Sequence, residues 1–182
     1  MIFPGHISGG YLATRALLSL SPHVFTSHET FAIYAIGIIA SELPDLDLFT
    51  FFFEHKSNKK QKKSESHRDY ISHAPFFWLV IGLIIAGIGG LLNIPVVGFS
   101  GLALMTGTWS HFILDSIEYG IMWLWPFSKK RYALRYVPEE KIDERAGTIK
   151  FYFEFIYRVY VKRLTFYCEI IITALAIWVA LR

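Results

Sequence analysis

The chain has 182 residues, of which 53% are hydrophobic, 17% aromatic and 18% charged, and its net charge is +3 at pH 7. This composition argues against an ordinary soluble domain, whose core could not hide so much apolar surface, and it favours a membrane protein. The single cysteine excludes both a disulfide framework within the chain and a cysteine-rich zinc site.

Two short helices are predicted in the first quarter of the chain, at residues 5–20 and 28–43. Before the second helix, Thr26 and Glu29 have the spacing of a capping box. This helix must end before Pro44, because a residue that precedes proline disfavours the helical conformation. The sequence PDLD, which begins with this proline, predicts a tight turn that bears two carboxylates.

Three longer apolar stretches follow. The uncharged stretch 75–92 approaches the roughly 20 residues that span a bilayer, and residues 96–114 return after a short turn. We expect these two to form a transmembrane hairpin, and residues 164–181 to form a last apolar helix with one acid, Glu169. The sequence therefore predicts an all-α, multi-pass transmembrane bundle of about four to five apolar helices in one membrane-embedded domain, 1–182.

Basic residues are concentrated in two segments, 56–63 and 128–135. Loops rich in Lys and Arg stay on the cytoplasmic side of a membrane and attract anionic lipids weakly, whereas the nucleic-acid signal of these segments is weak. With both loops inside, the hairpin 75–114 leaves the cytoplasmic face and returns to it. The resulting topology has five segments, with the N-terminus inside and the C-terminus outside.

This topology brings ligand-type side chains from distant parts of the sequence to the cytoplasmic end of the bundle. They are His6, Asp45, Asp47, His67, His73, His111 and Asp115. Histidine nitrogens and carboxylate oxygens without thiolate suit Zn²⁺, Mn²⁺ or Fe²⁺. Such groups are costly at membrane depth unless they have a partner or a cavity. The convergence predicts a divalent metal site that faces the cytoplasm, with zinc as the first choice.

Several of these groups also have an ordinary structural interpretation. His111 and Asp115 lie at i and i+4 on one helix face, where they could clamp a cation or form a buried hydrogen bond. The PDLD turn could equally be a capping turn. Arg68 could bind phosphate or extend to the membrane surface. Glu118, one turn beyond Asp115, could be a general base, a ligand or an exposed acid.

Five short motifs together resemble a known family. They are GH at 5–6, LPDLD at 43–47, HRDYISH at 67–73, SHFILD at 110–115 and YGIMWLWPFSKKRY at 119–132. Their order resembles that of the bacterial inner-membrane-associated metal-dependent hydrolases, a family also named for binding LexA. That family is similar in turn to zinc-dependent phospholipase C and the P1-type nucleases. The resemblance covers about residues 5–132 and leaves a charged region and the last helix, 133–182, outside it.

The resemblance implies an all-helical phosphodiesterase-like fold that holds one or two metal ions. The ligands that it implies are His6, Asp45, one of His67 or His73, His111 and Asp115. Asp115 would bridge two ions, and Asp47 would support the ligands or replace one of them. The chain departs from the pattern in two ways: it has no histidine after His111, and it has Asp69 where the family has a small residue.

The expected function is hydrolysis of an ester, with a phosphoester or phospholipid as the first choice, by a metal-activated water. Arg68 would neutralise phosphate charge, and Asp47 or Glu118 would accept the proton. The alternative is a metal-stabilised membrane scaffold whose basic loops bind a cytoplasmic protein or anionic lipid. A transporter is less favoured, because the polar residues gather at one end of the bundle and not near the bilayer midplane.

Overall fold

The computed structural model describes residues 3–50, 66–137 and 156–182. The α-helices of more than ten residues in these ranges are α1, Phe3–Ser19; α2, Ser27–Ala40; α3, Pro75–Leu91; α4, Pro95–Asp115; and α5, Leu164–Ala180. Short 3₁₀ turns lie at Leu43–Leu46, His67–Asp69, Ile71–His73 and Tyr160–Lys162. The described residues form no β-strand, so the prediction of an all-α fold is confirmed for them. The predicted lysine-rich loop, 56–63, lies outside the described residues.

Local sequence sets the boundaries of α2. The backbone N–H of Glu29 donates to the hydroxyl of Thr26 at 3.3 Å, and the carboxylate of Glu29 accepts from the backbone N–H of Thr26 at 2.9 Å, which is the predicted capping box. The helix ends at Ala40 and not at residue 43. Pro44 then lies in the 3₁₀ turn Leu43–Leu46, which also contains Asp45.

Helix α4 is the central element, because it packs against α1, α2 and α3. Glycines allow two of these crossings to be close. A Cβ atom at Gly101 would lie 2.6 Å from the carbonyl oxygen of Gly82 on α3, and a Cβ atom at Gly107 would overlap the backbone of Gly37 on α2. Small residues at helix crossings are typical of membrane bundles. The second crossing places the C-terminal end of α4 beside the end of α2.

A buried carboxylate joins α5 to the beginning of α1. Glu169 accepts a hydrogen bond from the backbone N–H of Gly5 at 3.1 Å and a second from the hydroxyl of Tyr160. The hydroxyl of Ser8 also donates to Thr173 at 3.2 Å. The positive end of the α1 dipole favours a carboxylate at this position. The one acid of the last apolar helix therefore holds two helices together.

No single described helix is both long and apolar enough to cross a bilayer. Helix α3 is apolar but has 17 residues, a length of roughly 25 Å. The segments Ile156–Lys162 and Leu164–Ala180 reach the required length only together, across a bend of 79°. The predicted hairpin is present as α3 and α4, packed together and joined by a short turn, but its crossing of a membrane stays a prediction.

A methyl group at Gly107 should destabilise the bundle, whereas one at Gly87 should not. At Gly107 the added group meets the backbone of Gly37, and overpacking of this kind costs about 1–3 kcal/mol. At Gly87 no atom of the described residues lies within 4 Å of the added group. We expect the thermal unfolding midpoint in detergent to fall by several degrees for Gly107→Ala and to be unchanged or higher for Gly87→Ala. Equal midpoints would contradict the close crossing of α2 and α4.

Candidate metal centre

All six of the side chains predicted as metal ligands lie at one end of the bundle, and they come from five separate elements. They form two neighbouring triads, which we call the His6 triad (His6, His111 and Asp115) and the Asp45 triad (Asp45, His67 and His73). Within each triad the three donor atoms lie within 4.8 Å of one another. The helix ends predicted to share one level of the bundle do therefore meet.

The Oδ1 atom of Asp45 is the meeting point of the two triads. It lies 3.5 Å from Nε2 of His73, 3.7 Å from Nε2 of His67 and 3.7 Å from Nε2 of His111. These separations are longer than those of good hydrogen bonds. They are close to the roughly 3.3–3.6 Å that separates two ligands of one tetrahedral zinc ion with bonds of about 2.0–2.2 Å. One carboxylate oxygen thus faces three imidazole nitrogens at distances suited to shared coordination of a cation.

The His6 triad is fully buried, with 0% exposure for each of its side chains. Oδ1 of Asp115 lies 3.5 Å from Nε2 of His6, and the rings of His6 and His111 are stacked with their centroids 3.8 Å apart. The closest approach between the side chains of His111 and Asp115 is 3.9 Å. This pair therefore does not form the direct hydrogen bond that was the structural alternative for its i, i+4 spacing.

Several buried donor and acceptor atoms of the cluster make no hydrogen bond within the described residues. They are both ring nitrogens of His6, Nε2 of His73, Nε2 of His111 and Oδ1 of Asp45. Leaving a buried polar group unsatisfied costs about 1–3 kcal/mol, and folded proteins rarely do so without a ligand, ion or water. Because the unsatisfied atoms are imidazole nitrogens and a carboxylate oxygen, the donor set fits Zn²⁺, Mn²⁺ or Fe²⁺.

Groups outside the two triads hold the imidazole rings of His73 and His111 through hydrogen bonds from their Nδ1 atoms. Nδ1 of His73 donates to Oδ2 of Asp47 at 2.6 Å, and Asp47 also accepts from the hydroxyl of Ser72 at 2.6 Å. Nδ1 of His111 donates to the carbonyl oxygen of Ser41 at 2.8 Å. A hydrogen bond of this kind sets the ring orientation and leaves Nε2 for a metal. Asp47 thus contacts His73 on the side away from the cluster; its role, as a support for the ligands or as an alternate ligand, stays a prediction.

The charges around the Asp45 triad favour an ionised carboxylate. Burial by itself raises the pKa of Asp45, but the neighbouring histidines outweigh burial and hold this pKa well below its usual range. Burial and the charge of Arg68 lower the pKa of His67, which therefore presents the neutral imidazole that metals require. Burial also lowers the pKa of His73, but its interactions with Asp45 and Asp47 outweigh burial and raise it.

Arg68 is buried against the cluster. Its Nε donates to Oδ2 of Asp115 at 2.8 Å, and its guanidinium group lies 4.5 Å from the centre of the Tyr119 ring. A guanidinium held by a carboxylate on one side and an aromatic face on the other has a restricted position. The structure therefore places a positive charge beside the His6 triad, where the sequence allowed either a phosphate-binding cation or a membrane-surface residue.

Glu118 lies at the N-terminus of α5 and is 2% exposed. Its carboxylate accepts hydrogen bonds from the backbone N–H groups of Leu164 at 3.3 Å and Thr165 at 3.1 Å, and from the hydroxyl of Thr165 at 2.8 Å. Burial raises the pKa of Glu118, but these hydrogen bonds outweigh burial and lower it. Of the three interpretations open from the sequence, an exposed acid is wrong. The observed contacts are those of a helix cap.

Glu42 is a charged residue of this region that the sequence analysis did not single out. Its Oε1 atom is buried and makes no hydrogen bond within the described residues. Burial, together with the negative charge of Asp45, raises the pKa of Glu42 to about 7. In the sequence it directly precedes LPDLD, but an acid at a helix end is too common to indicate a role. Only the position of Asp45 and the burial of this turn distinguish it.

Comparison with known proteins identifies a family. The family model described as YdjM inner membrane protein matches residues 1–182, the whole chain. No curated protein and no solved structure gives a significant match. The family match confirms the expectation of an inner membrane protein. Its description names no activity, so the hydrolase activity and the similarity to phospholipase C stay predictions.

Metal content should depend on the cluster and not on histidine in general. We expect near-stoichiometric zinc, manganese or iron in detergent-purified protein by elemental analysis, and loss of most of it in Asp45→Asn and His111→Ala, each of which removes a central donor. His28→Ala is the matched control, because His28 is exposed at the beginning of α2. A folded but metal-free parent, even after reconstitution with Zn²⁺, would contradict a metal centre.

Glu118→Ala should lower stability without removing metal. Loss of a helix cap costs typically about 1 kcal/mol, because the N–H groups at the beginning of α5 lose their acceptor. We expect a lower thermal unfolding midpoint and an unchanged metal-to-protein ratio. The opposite pattern, with metal lost and the midpoint unchanged relative to metal-free parent, would make Glu118 a ligand.

Proposed function

We propose that this chain, which belongs to the YdjM inner membrane protein family, is a membrane-bound hydrolase that uses a divalent metal to cleave an ester. The observation that supports this most is the arrangement around Oδ1 of Asp45, which faces three imidazole nitrogens at 3.5–3.7 Å. A cluster with a purely structural role would be expected to satisfy its own polar atoms by hydrogen bonds. Here, buried donors and acceptors from both triads are left unsatisfied within the described residues.

The two triads would hold one or two ions, with zinc as the first choice and manganese or iron as alternatives. When bound, such an ion would lower the pKa of a water toward neutrality and polarise the scissile ester. The chain itself prepares the donors. Asp47 and the carbonyl of Ser41 orient the rings of His73 and His111, so that their Nε2 atoms face the cluster.

Arg68 favours a phosphoester or phospholipid as the substrate. Its guanidinium is positioned by Asp115 and Tyr119 and supplies a positive charge beside the His6 triad. Arginine suits phosphate because its planar N–H groups match the phosphate oxygens. The negative charge that develops on a phosphoryl group during hydrolysis would be neutralised by this side chain. A carboxylic ester develops less charge and would gain less from it.

Glu42 takes the place of Asp47 and Glu118 as our candidate proton acceptor. Asp47 is bonded to His73, and Glu118 is bonded to the beginning of α5. The Oε1 atom of Glu42 is buried without a hydrogen bond in the described residues, and its pKa of about 7 is near the optimum for a general base at neutral pH. Glu42 would therefore take a proton from the attacking water.

We also propose that the cluster faces the cytoplasm at the membrane surface. The basic segment 128–135 follows α4 at the end of the bundle that carries the cluster, and such segments stay on the cytoplasmic side. A site at this level would reach a lipid head group without taking the lipid out of the bilayer. The alternative function is a metal-stabilised scaffold that binds a cytoplasmic partner through its basic loops.

Glu42→Gln should remove hydrolysis while keeping the metal. The amide retains the shape of the side chain but cannot accept the proton, so we expect kcat on a phosphodiester or short-chain phospholipid to fall about 100-fold or more. Glu118→Gln makes the same chemical change outside the cluster and should retain activity. Metal content measured on the same samples separates loss of chemistry from loss of the ion.

Two results would contradict catalysis. One is the absence of turnover on phosphodiesters and lipid esters by metal-loaded parent protein. The other is equal activity in the parent and in His111→Ala. With stoichiometric metal present, either result would make the scaffold the leading function.

A further inference from the structure

A second charged feature lies outside the metal centre, at the bend that precedes α5. It is a cavity of about 270 Å³ whose lining includes four basic side chains, those of Arg135, Arg158, Lys162 and Arg163. Glu118 is the one acid among the described residues that line it. We call this cavity the basic pocket. Among the described residues that line this small concave space, basic side chains therefore outnumber acidic ones.

The fold brings these basic residues together through the segment that follows α4. The backbone N–H of Arg135 donates to the carbonyl oxygen of Ile117 at 3.0 Å, and that of Val137 donates to the carbonyl oxygen of Glu118 at 3.0 Å. These bonds hold Arg135 beside the end of α4. The side chain of Glu118 meanwhile bonds the backbone of Thr165, which fixes the beginning of α5. Two distant basic segments therefore meet at Glu118.

The single acid lies close enough to Arg163 to offset the charge of that residue, and it leaves the other three bases. Both oxygens of Glu118 accept hydrogen bonds from the beginning of α5, and the side chain is almost fully buried. Arg135, Arg158 and Lys162 are exposed, so an anion can approach them from solvent or from a membrane surface. Arginine and lysine together bind phosphate well, because the guanidinium donates in a planar fork and the ammonium adds a mobile point charge.

We propose that the basic pocket binds the phosphate group of an anionic ligand, either a lipid head group or a phosphorylated solute. Its position favours the lipid. The pocket is lined by residues of Ile156–Lys162 and of the bend before α5. Ile156–Lys162 and α5 together are long and apolar enough to enter a bilayer, and basic residues beside such segments contact anionic head groups. At about 270 Å³ it is smaller than the roughly 300–1,000 Å³ of pockets that enclose whole ligands, so it would take a head group and leave the acyl chains outside.

This site is distinct from the metal cluster and does not depend on catalysis. Its ligand would bind to protein from which the metal has been removed as well as to the metal-loaded protein. Failure of the protein to hydrolyse esters would therefore not contradict anion binding in this pocket, and failure to bind anions would not contradict hydrolysis.

Calorimetric titration of the detergent-purified full chain at fixed ionic strength tests the proposal. The probes are dioctanoyl phosphatidylglycerol, dioctanoyl phosphatidylcholine and inorganic phosphate. The variants are Arg158→Gln/Lys162→Gln and, separately, Arg135→Gln. Lys129→Gln is the matched control, since Lys129 is an exposed base of the same basic segment and does not line the pocket. The thermal unfolding midpoint of each variant establishes that it is folded.

We expect phosphatidylglycerol to bind the parent and Lys129→Gln equally, and to bind the double variant at least tenfold more weakly, because two of the three exposed positive charges are gone. Phosphatidylglycerol binding more than tenfold tighter than inorganic phosphate supports a lipid head group as the ligand, and equal binding supports a phosphorylated solute. The proposal is overturned if neither anion binds, if phosphatidylcholine binds as tightly as phosphatidylglycerol, or if the double variant and Lys129→Gln lose affinity equally.

Discussion

The gathering of six ligand-type side chains, four of them fully buried, at one end of an apolar bundle is the constraint on which the rest of this structure depends. Each imidazole or carboxylate would be costly to bury alone, and the rings of His6 and His111 even stack on each other. The surrounding structure limits this cost where it can, with Arg68 on Asp115 and Asp47 on His73. Among the unsatisfied atoms of the described residues, Oδ1 of Asp45 faces Nε2 of His73 and of His111, which is the arrangement expected where a cation completes the site.

The close crossings of α4 make this arrangement possible. Because Gly37 and Gly107 have no side chains, the backbones of α2 and α4 can come into contact. The carbonyl oxygen of Ser41 can then accept a hydrogen bond from Nδ1 of His111. A wider crossing would separate Asp45 from His111 and divide the two triads. Helix packing and the candidate chemistry are therefore coupled through residues that carry no functional group themselves.

The short segment after α4 connects the two polar regions of the molecule. It begins at Asp115, which belongs to the candidate metal centre, and reaches Glu118, which holds the beginning of α5 and borders the basic pocket. Tyr119 turns back under the guanidinium of Arg68. Because one run of five residues touches both regions, a ligand in the pocket and an ion in the cluster would act on the same piece of backbone.

The sequence by itself determined the helical class, the capping box of α2 and the six side chains that meet, because apolar length, local hydrogen bonding and the end of a helix are properties of short segments. Tertiary structure decided the pairing. His111 lies beside Asp45, and Asp47 accepts a hydrogen bond from His73. Glu118 caps the beginning of α5. An oxygen of Glu42 is buried. These outcomes depend on distances between helices, which are set by packing across the bundle and leave no periodic pattern in the sequence.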